Sequence, residues 1–292
     1  MTTTSPHPLR GVLLIASAVF LFACLDSTIR YLAAHFPVPL MAFVRYVVHL
    51  VLMLGILWPR QGLGFVRPRR TLLVVVRALC LVACTLFMMQ GLVRLPVAEA
   101  TAIGFVAPLL VVLLSRPLLG ERIGWLRWGA VLAGFCGVLL VARPGASLDA
   151  FGVAMVLCAA LCGAAYQLLS RLLASSESTN TLLFHAALAG TLCFGLSLPW
   201  LPTVSWPSLF ETGLLFSLGV TGGLGHYLFT RAYRHAPASL LAPFTYLQLL
   251  WAGLLGWLVF DRVPDGITLL GMAVIALAGV VVALSLGQPR KG

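Results

Sequence analysis

Residues 24–36 read CLDSTIRYLAAHF and follow an apolar run, GVLLIASAVFLF. Asp26 and Arg30 stand four residues apart in this stretch. On a helix, i and i+4 side chains share a face and can pair. Arg45 falls at a similar depth in the next apolar run and offers Asp26 a second partner. A charge near a bilayer centre costs roughly 2.5–3.5 kcal/mol on insertion scales, so each ion needs a partner or a task. Two tasks suit these residue types: an ion pair that locks helices, or a polar point on the route of a solute. Arg30 is assigned to a structural ion pair with Asp26. Asp26 and Arg45 are assigned to solute binding or gating.

Other polar side chains sit inside apolar runs. His49 lies near the middle of the second run and reaches neither surface easily. Arg77 lies about two turns into the third, and the planar fork of arginine matches a carboxylate. His226 and Tyr227 follow the glycine-rich GVTGGLG. Tyr246, Gln248 and Trp251 follow Pro243, and an aromatic and amide lining of this kind suits a flat or zwitterionic solute. The bland alternative for the aromatic residues is packing. Nothing marks an enzyme: there is no P-loop, GxGxxG, HExxH or GxSxG, and no nucleophile stands beside a base. No cofactor or metal is expected. Cys80/Cys84 and Cys158/Cys162 have one-turn spacing without further ligands, and all seven cysteines lie in apolar segments, which implies no disulfide framework.

The elements that position these residues follow from composition. The chain has 292 residues, 61% hydrophobic and only 9% charged, against about 25% charged in soluble domains. This is an integral membrane protein. A ~30 Å hydrocarbon core needs roughly 20 apolar residues per helix. Breaks at Pro, Gly and charges leave ten such segments, near 10–33, 39–58, 71–92, 97–117, 123–142, 151–173, 180–200, 208–233, 238–260 and 266–286. Of the 19 Lys and Arg, Arg30, Arg45 and Arg77 are internal. Arg94, Arg143 and Arg262 fall on one side, and the other thirteen share the side of the two termini. Basic residues favour the cytoplasm, so both termini are expected there, in a bacterial inner membrane. The net charge of +11 is then an orientation and lipid-headgroup signal, not a nucleic-acid site.

The chain also repeats itself. GVLLIASAVFLFACLDSTIRYLAA from Gly11 aligns with GVAMVLCAALCGAAYQLLSRLLAS from Gly152, an offset of 141, and LLGERIGWLRWGAVLAGFCGVLL aligns with LVFDRVPDGITLLGMAVIALAGVVV. Each half has five helices, and an odd number inverts the second copy in the membrane. The fold class is thus all-α, ten transmembrane helices as two inverted five-helix repeats, 1–145 and 146–292. Asp26 maps to Gln167, Arg30 to Arg171, and Arg45 falls at His185, so Gln167 and His185 join the candidates as a second polar cluster. Inverted repeats are typical of secondary transporters with a midplane substrate site. The stripe Gly129–Ala133–Gly137 has small-x3-small spacing and reads as helix packing or a homodimer face.

The five-plus-five arrangement, the stretch AEATAIGFVAPLLVVLLSRPLLGER at 98–122 and the ending GVLLVARPG at 137–145 resemble the EamA family of the drug/metabolite transporter superfamily. The likeness covers roughly 10–286. It is weaker in the second half, where Gln248 stands in place of Pro108. The resemblance implies a secondary transporter of small organic metabolites, and the superfamily's substrates include amino acids, nucleotide sugars, riboflavin, S-adenosylmethionine and opine-type metallophores. Export of small zwitterions by alternating access is the leading expectation. Import of a compound such as riboflavin or S-adenosylmethionine is the alternative, and a membrane scaffold or enzyme a remote one.

Overall fold

A computed structural model describes residues 8–62, 64–119, 125–142, 148–173, 176–203, 205–232, 235 and 244–286. Pro243 lies outside the described residues. Among them the chain is helical, in the order α1 (Pro8–Leu32), α2 (Val38–Gln61), α3 (Thr71–Arg94), α4 (Val97–Gly104), α5 (Val106–Leu119), α6 (Trp125–Ala142), α7 (Ala150–Leu173), α8 (Thr179–Ser197), α9 (Leu209–Ala232), α10 (Leu247–Phe260) and α11 (Gly266–Leu286). Five of these are long and apolar enough to cross a membrane: Leu9–Leu32, Val38–Pro59, Thr71–Arg94, Ala150–Ser170 and Thr179–Trp200. Large apolar side chains such as Leu13, Leu72, Leu132 and Trp257 point outward. An outer surface of that kind belongs in lipid.

Local chemistry sets the helix ends. Proline at the start of α2 gives up an N–H that has no helical acceptor there. Ser178 caps α8 by accepting from the Thr181 amide at 3.1 Å. Ser208 and Glu211 form a reciprocal capping box at α9: the Ser208 hydroxyl accepts from the Glu211 amide, and the Glu211 carboxylate accepts from the Ser208 amide at 2.8 Å. The fourth crossing is broken at Phe105 into α4 and α5. Pro108 has no N–H for the Gly104 carbonyl and its ring crowds that oxygen, so α4 stops at Gly104.

The packing follows the repeat. α3 lies along α7 as α1 lies along α9; α2 crosses its own counterpart α8, α6 crosses α11, and α4 meets α10. Each pairing maps onto another, or onto itself, when the two halves are exchanged. Backbones approach closely where side chains vanish: a Cβ on Gly137 would stand 2.9 Å from the Gly271 carbonyl, and one on Gly271 2.8 Å from that of Gly137. Gly137 therefore serves the α6–α11 crossing, whereas a Cβ on Gly129 would meet nothing within 4 Å. The helix break recurs as well. Tyr246, the 141-residue counterpart of Phe105, precedes α10 with φ −70° and ψ −11°, against −68° and 1° at Phe105. The two rings touch, centroids 4.7 Å apart.

Candidate functional site

The polar centre is assembled by α1, α2, α9 and α10. Asp26 on α1 is buried, 8% exposed, and accepts a long hydrogen bond from the Gln248 amide at 3.4 Å. Arg45 on α2 acts on Asp26 through space but closes no ion pair with it. Its guanidinium stands 5.4 Å from the Tyr46 ring centroid and donates no hydrogen bond to the described residues. The glycines of GVTGGLG make room for this arrangement. A Cβ on Gly222 would lie 3.0 Å from Arg45 Nε, and one on Gly223 3.0 Å from His49 Cδ2. His226 completes the group, its ring 5.0 Å from Phe22 and within electrostatic reach of Arg45 and His49. On α10, Trp251 packs edge-on against Phe20 at 5.0 Å, and its indole N–H is buried with no acceptor among the described residues.

Other candidates sit elsewhere. The expected Asp26–Arg30 ion pair is not formed: Arg30 donates to the carbonyls of Leu92, at 2.8 Å, and Val93 at the end of α3. A helix C-terminus leaves its last carbonyls without amide partners, and these outcompete a carboxylate one turn away on the same helix. Arg77 is buried and spoken for. Nε donates to Ser170 at 2.7 Å, one terminal nitrogen to the Leu182 carbonyl at 3.0 Å and the other to the Tyr166 hydroxyl at 2.9 Å, with the guanidinium 4.3 Å over the Tyr166 ring. Gln167 is on the exposed face of α7, so its side chain does not reproduce the buried setting of Asp26. His185 Nδ1 donates to the Thr181 carbonyl one turn back at 2.9 Å. Tyr246 is packing: its hydroxyl fills the space a Cβ on Gly279 would need. The side chain of Arg171 lies outside the described residues.

The two ends of the bundle differ. At the face bearing the start of α1, a cleft of about 180 Å³ opens between Leu57 of α2, Ser178–Asn180 at the start of α8, and Tyr227, Thr230 and Arg231 of α9. It lies one turn along α9 from His226. At the opposite face the corresponding seam runs between α3 and α8, where His49 and His226 are replaced by their counterparts Gly190 and Thr85. Tyr46 fills that seam. A Cβ on Gly190 would stand 2.3 Å from its ring, its hydroxyl bonds Thr85 at 2.7 Å, and Phe194 stacks on it at 5.9 Å. Sequence reasoning missed Tyr46, and it counted Arg231 only as an orientation charge. The i, i+4 spacing of Tyr227 and Arg231 was the available signal, and the Arg231 guanidinium does donate to the Tyr227 hydroxyl at 2.8 Å.

A solved crystal structure superposes with a TM-score of 0.71 at 22% identity, over 96% of this chain and 99% of that one, which shows the fold. Relatives by sequence are carriers. The chain is 29% identical to the Pseudopaline exporter CntI of Pseudomonas aeruginosa over 97% of both chains. It is 32% identical to a riboflavin transporter of Vibrio cholerae over 93% of this chain and 92% of the relative. It is 30% identical to an S-adenosylmethionine uptake transporter of Rickettsia bellii over 77% and 76%. The sequence profile of one family matches twice, at residues 9–143 and 150–285, and this multi-pass membrane protein belongs to the EamA-like transporter family.

Proposed function

We propose that the chain exports small zwitterionic metabolites across the bacterial inner membrane, with both termini in the cytoplasm. The observation that carries this reading is the open charge pair. Asp26 and Arg45 lie within electrostatic reach of one another without an ion pair, and the guanidinium has donors to spare. A solute with an ammonium for Asp26 and a carboxylate for Arg45 completes both. Gln248 and the unmatched Trp251 indole N–H add polar contacts on the α10 side, and His49 and His226 add them along the α2–α9 seam. Arg77 and Tyr246 are read as helix-locking residues, and His185 as bonded within α8.

The repeat supports alternating access between units 1–145 and 146–292. Exchange of the roles of two similar, inverted halves turns one seam's open state into the other's. In the observed state the cleft opens at the face of the termini and Tyr46 fills the opposite seam. The basic-residue count makes the open face cytoplasmic, and an exporter loads from there. The Pseudopaline exporter among the relatives favours export. The riboflavin and S-adenosylmethionine uptake transporters keep import as the second reading.

Mass spectrometry of the medium around cells overproducing the protein, with empty-vector and Asp26→Ala controls, tests this. A compound enriched outside only with the wild type supports export and names the substrate class. Depletion of a supplied compound favours import. No difference at matched membrane expression, across a panel of amino acids and their derivatives supplied to the cells, counts against the zwitterion reading.

A further inference from the structure

We propose that the cleft between α2, α8 and α9 is a docking site for a carboxylate, with Arg231 as its cation, and that it meets the acid group of the substrate before the central site does. The inference rests on the transport reading for its role and on the cleft's own chemistry for its ligand class.

Three observations lead to it. First, the Arg231 guanidinium is oriented: it lies 5.6 Å from the Tyr227 ring centroid, and one of its nitrogens donates to that residue's hydroxyl at 2.8 Å. Arginine carries five N–H donors, so most of the fork remains for a ligand. An arginine serving only to orient a helix in the membrane does not need to line a cavity. Second, none of the lining residues is acidic. The carboxylate next in sequence, Glu177, is engaged elsewhere, accepting from the amides of Arg69 and Arg70 at 2.8 and 2.7 Å. Among the described residues the lining therefore holds a cation and hydroxyls and no anion to neutralise them. Third, the site lies on the seam that leads inward to His226, His49 and Arg45, so an acid group admitted there moves along basic and polar side chains toward the centre.

The opposite seam lacks the feature. By the 141-residue offset, Ser178, Asn180, Tyr227, Thr230 and Arg231 correspond to Pro37, Pro39, Leu86, Met89 and Gln90. The helices recur in both halves, and the cation stands in one of them. The asymmetry makes anion capture a property of one face of the carrier.

The test measures the cleft's charge preference with chemical probes. Thr179→Cys is introduced at its rim, and the modification rates by anionic sulfonatoethyl and cationic trimethylammonioethyl methanethiosulfonates are compared, with the unsubstituted protein subtracting the native cysteines. A guanidinium in a low-dielectric cleft concentrates anions about tenfold or more. The anionic-to-cationic rate ratio is expected to fall about tenfold on Arg231→Gln and to be kept by Arg231→Lys, which separates lost charge from lost folding. Glutarate should slow the anionic reagent, and its neutral analogue glutaramide should not. A ratio that ignores Arg231→Gln, or equal effects of glutarate and glutaramide, overturns the proposal. The same rates in nanodiscs with and without phosphatidylglycerol identify the other source of an anion. A preference abolished by that lipid means a headgroup occupies the cleft, and substrate docking there is refuted. If Asp26→Asn leaves flux unchanged while the charge preference stands, the central-site reading has failed and the docking site has not.

Discussion

Arg77→Lys separates a helix lock from a substrate ligand. Arg77 reaches three acceptors on two helices and covers an aromatic ring. A lysine ammonium is a single point that satisfies one of those acceptors and stacks poorly, so two hydrogen bonds and most of the cation–π contact are lost. Hydrogen bonds between membrane helices average about 0.6 kcal/mol and reach about 1.7. A cation–π contact is worth about 2 kcal/mol when desolvated, and losing most of it adds about 1–2 kcal/mol. The expected loss is therefore about 2–4 kcal/mol, roughly 5–10 °C in detergent melting temperature at the slope typical of domains this size. Melting followed by size-exclusion fluorescence gives the stability, and flux in proteoliposomes normalised to folded protein gives the function. Flux per folded molecule is expected to stay within about twofold. A variant that melts like the wild type but has lost its flux would refute the reasoning and make Arg77 a substrate ligand.

Arg30→Met removes the donor from the Leu92 and Val93 carbonyls, and at about 1–3 kcal/mol for charged hydrogen bonds it lowers melting temperature while leaving transport by the surviving protein intact; abolished flux in a stable variant would contradict this. Gly279→Ala places a Cβ 1.5 Å from the Tyr246 hydroxyl oxygen, a clash costing about 1–3 kcal/mol of overpacking. In a Tyr246→Ala background, which removes both the hydroxyl and the ring carbons that close on Gly279, the same substitution should cost less in the same melting assay, and an equal cost would mean the contact is not the cause.

Much of the architecture was legible in the sequence because it depends on run length and repetition. Apolar stretches of about 20 residues mark crossings whatever their neighbours are, and the 141-residue offset aligns Phe105 with Tyr246 as surely as Asp26 with Gln167. The break in the fourth crossing also had a signal in the sequence, Pro108, which has no N–H for the carbonyl four residues back. The site was less legible, because burial is not inherited with alignment: Asp26 is buried and Gln167 is exposed. Arg30 found backbone carbonyls of α3, acceptors that no side-chain pattern displays. Tyr46 reads as one more aromatic residue until α8 is laid against it with a glycine beneath the ring. Arg231 counted as one basic residue among thirteen, and only the meeting of α2, α8 and α9 makes it part of a cleft.

The most direct test of the central claim is flux per folded molecule for Asp26→Asn in proteoliposomes, with the compound identified from the medium. The substitution keeps the shape of the side chain and a hydrogen-bonding partner for Gln248 but removes the acid group within electrostatic reach of Arg45. The account predicts a melting temperature close to that of the wild type and flux reduced at least about tenfold, the effect of losing roughly 1.4 kcal/mol of substrate stabilisation. Wild-type flux from a stably folded Asp26→Asn protein would contradict it.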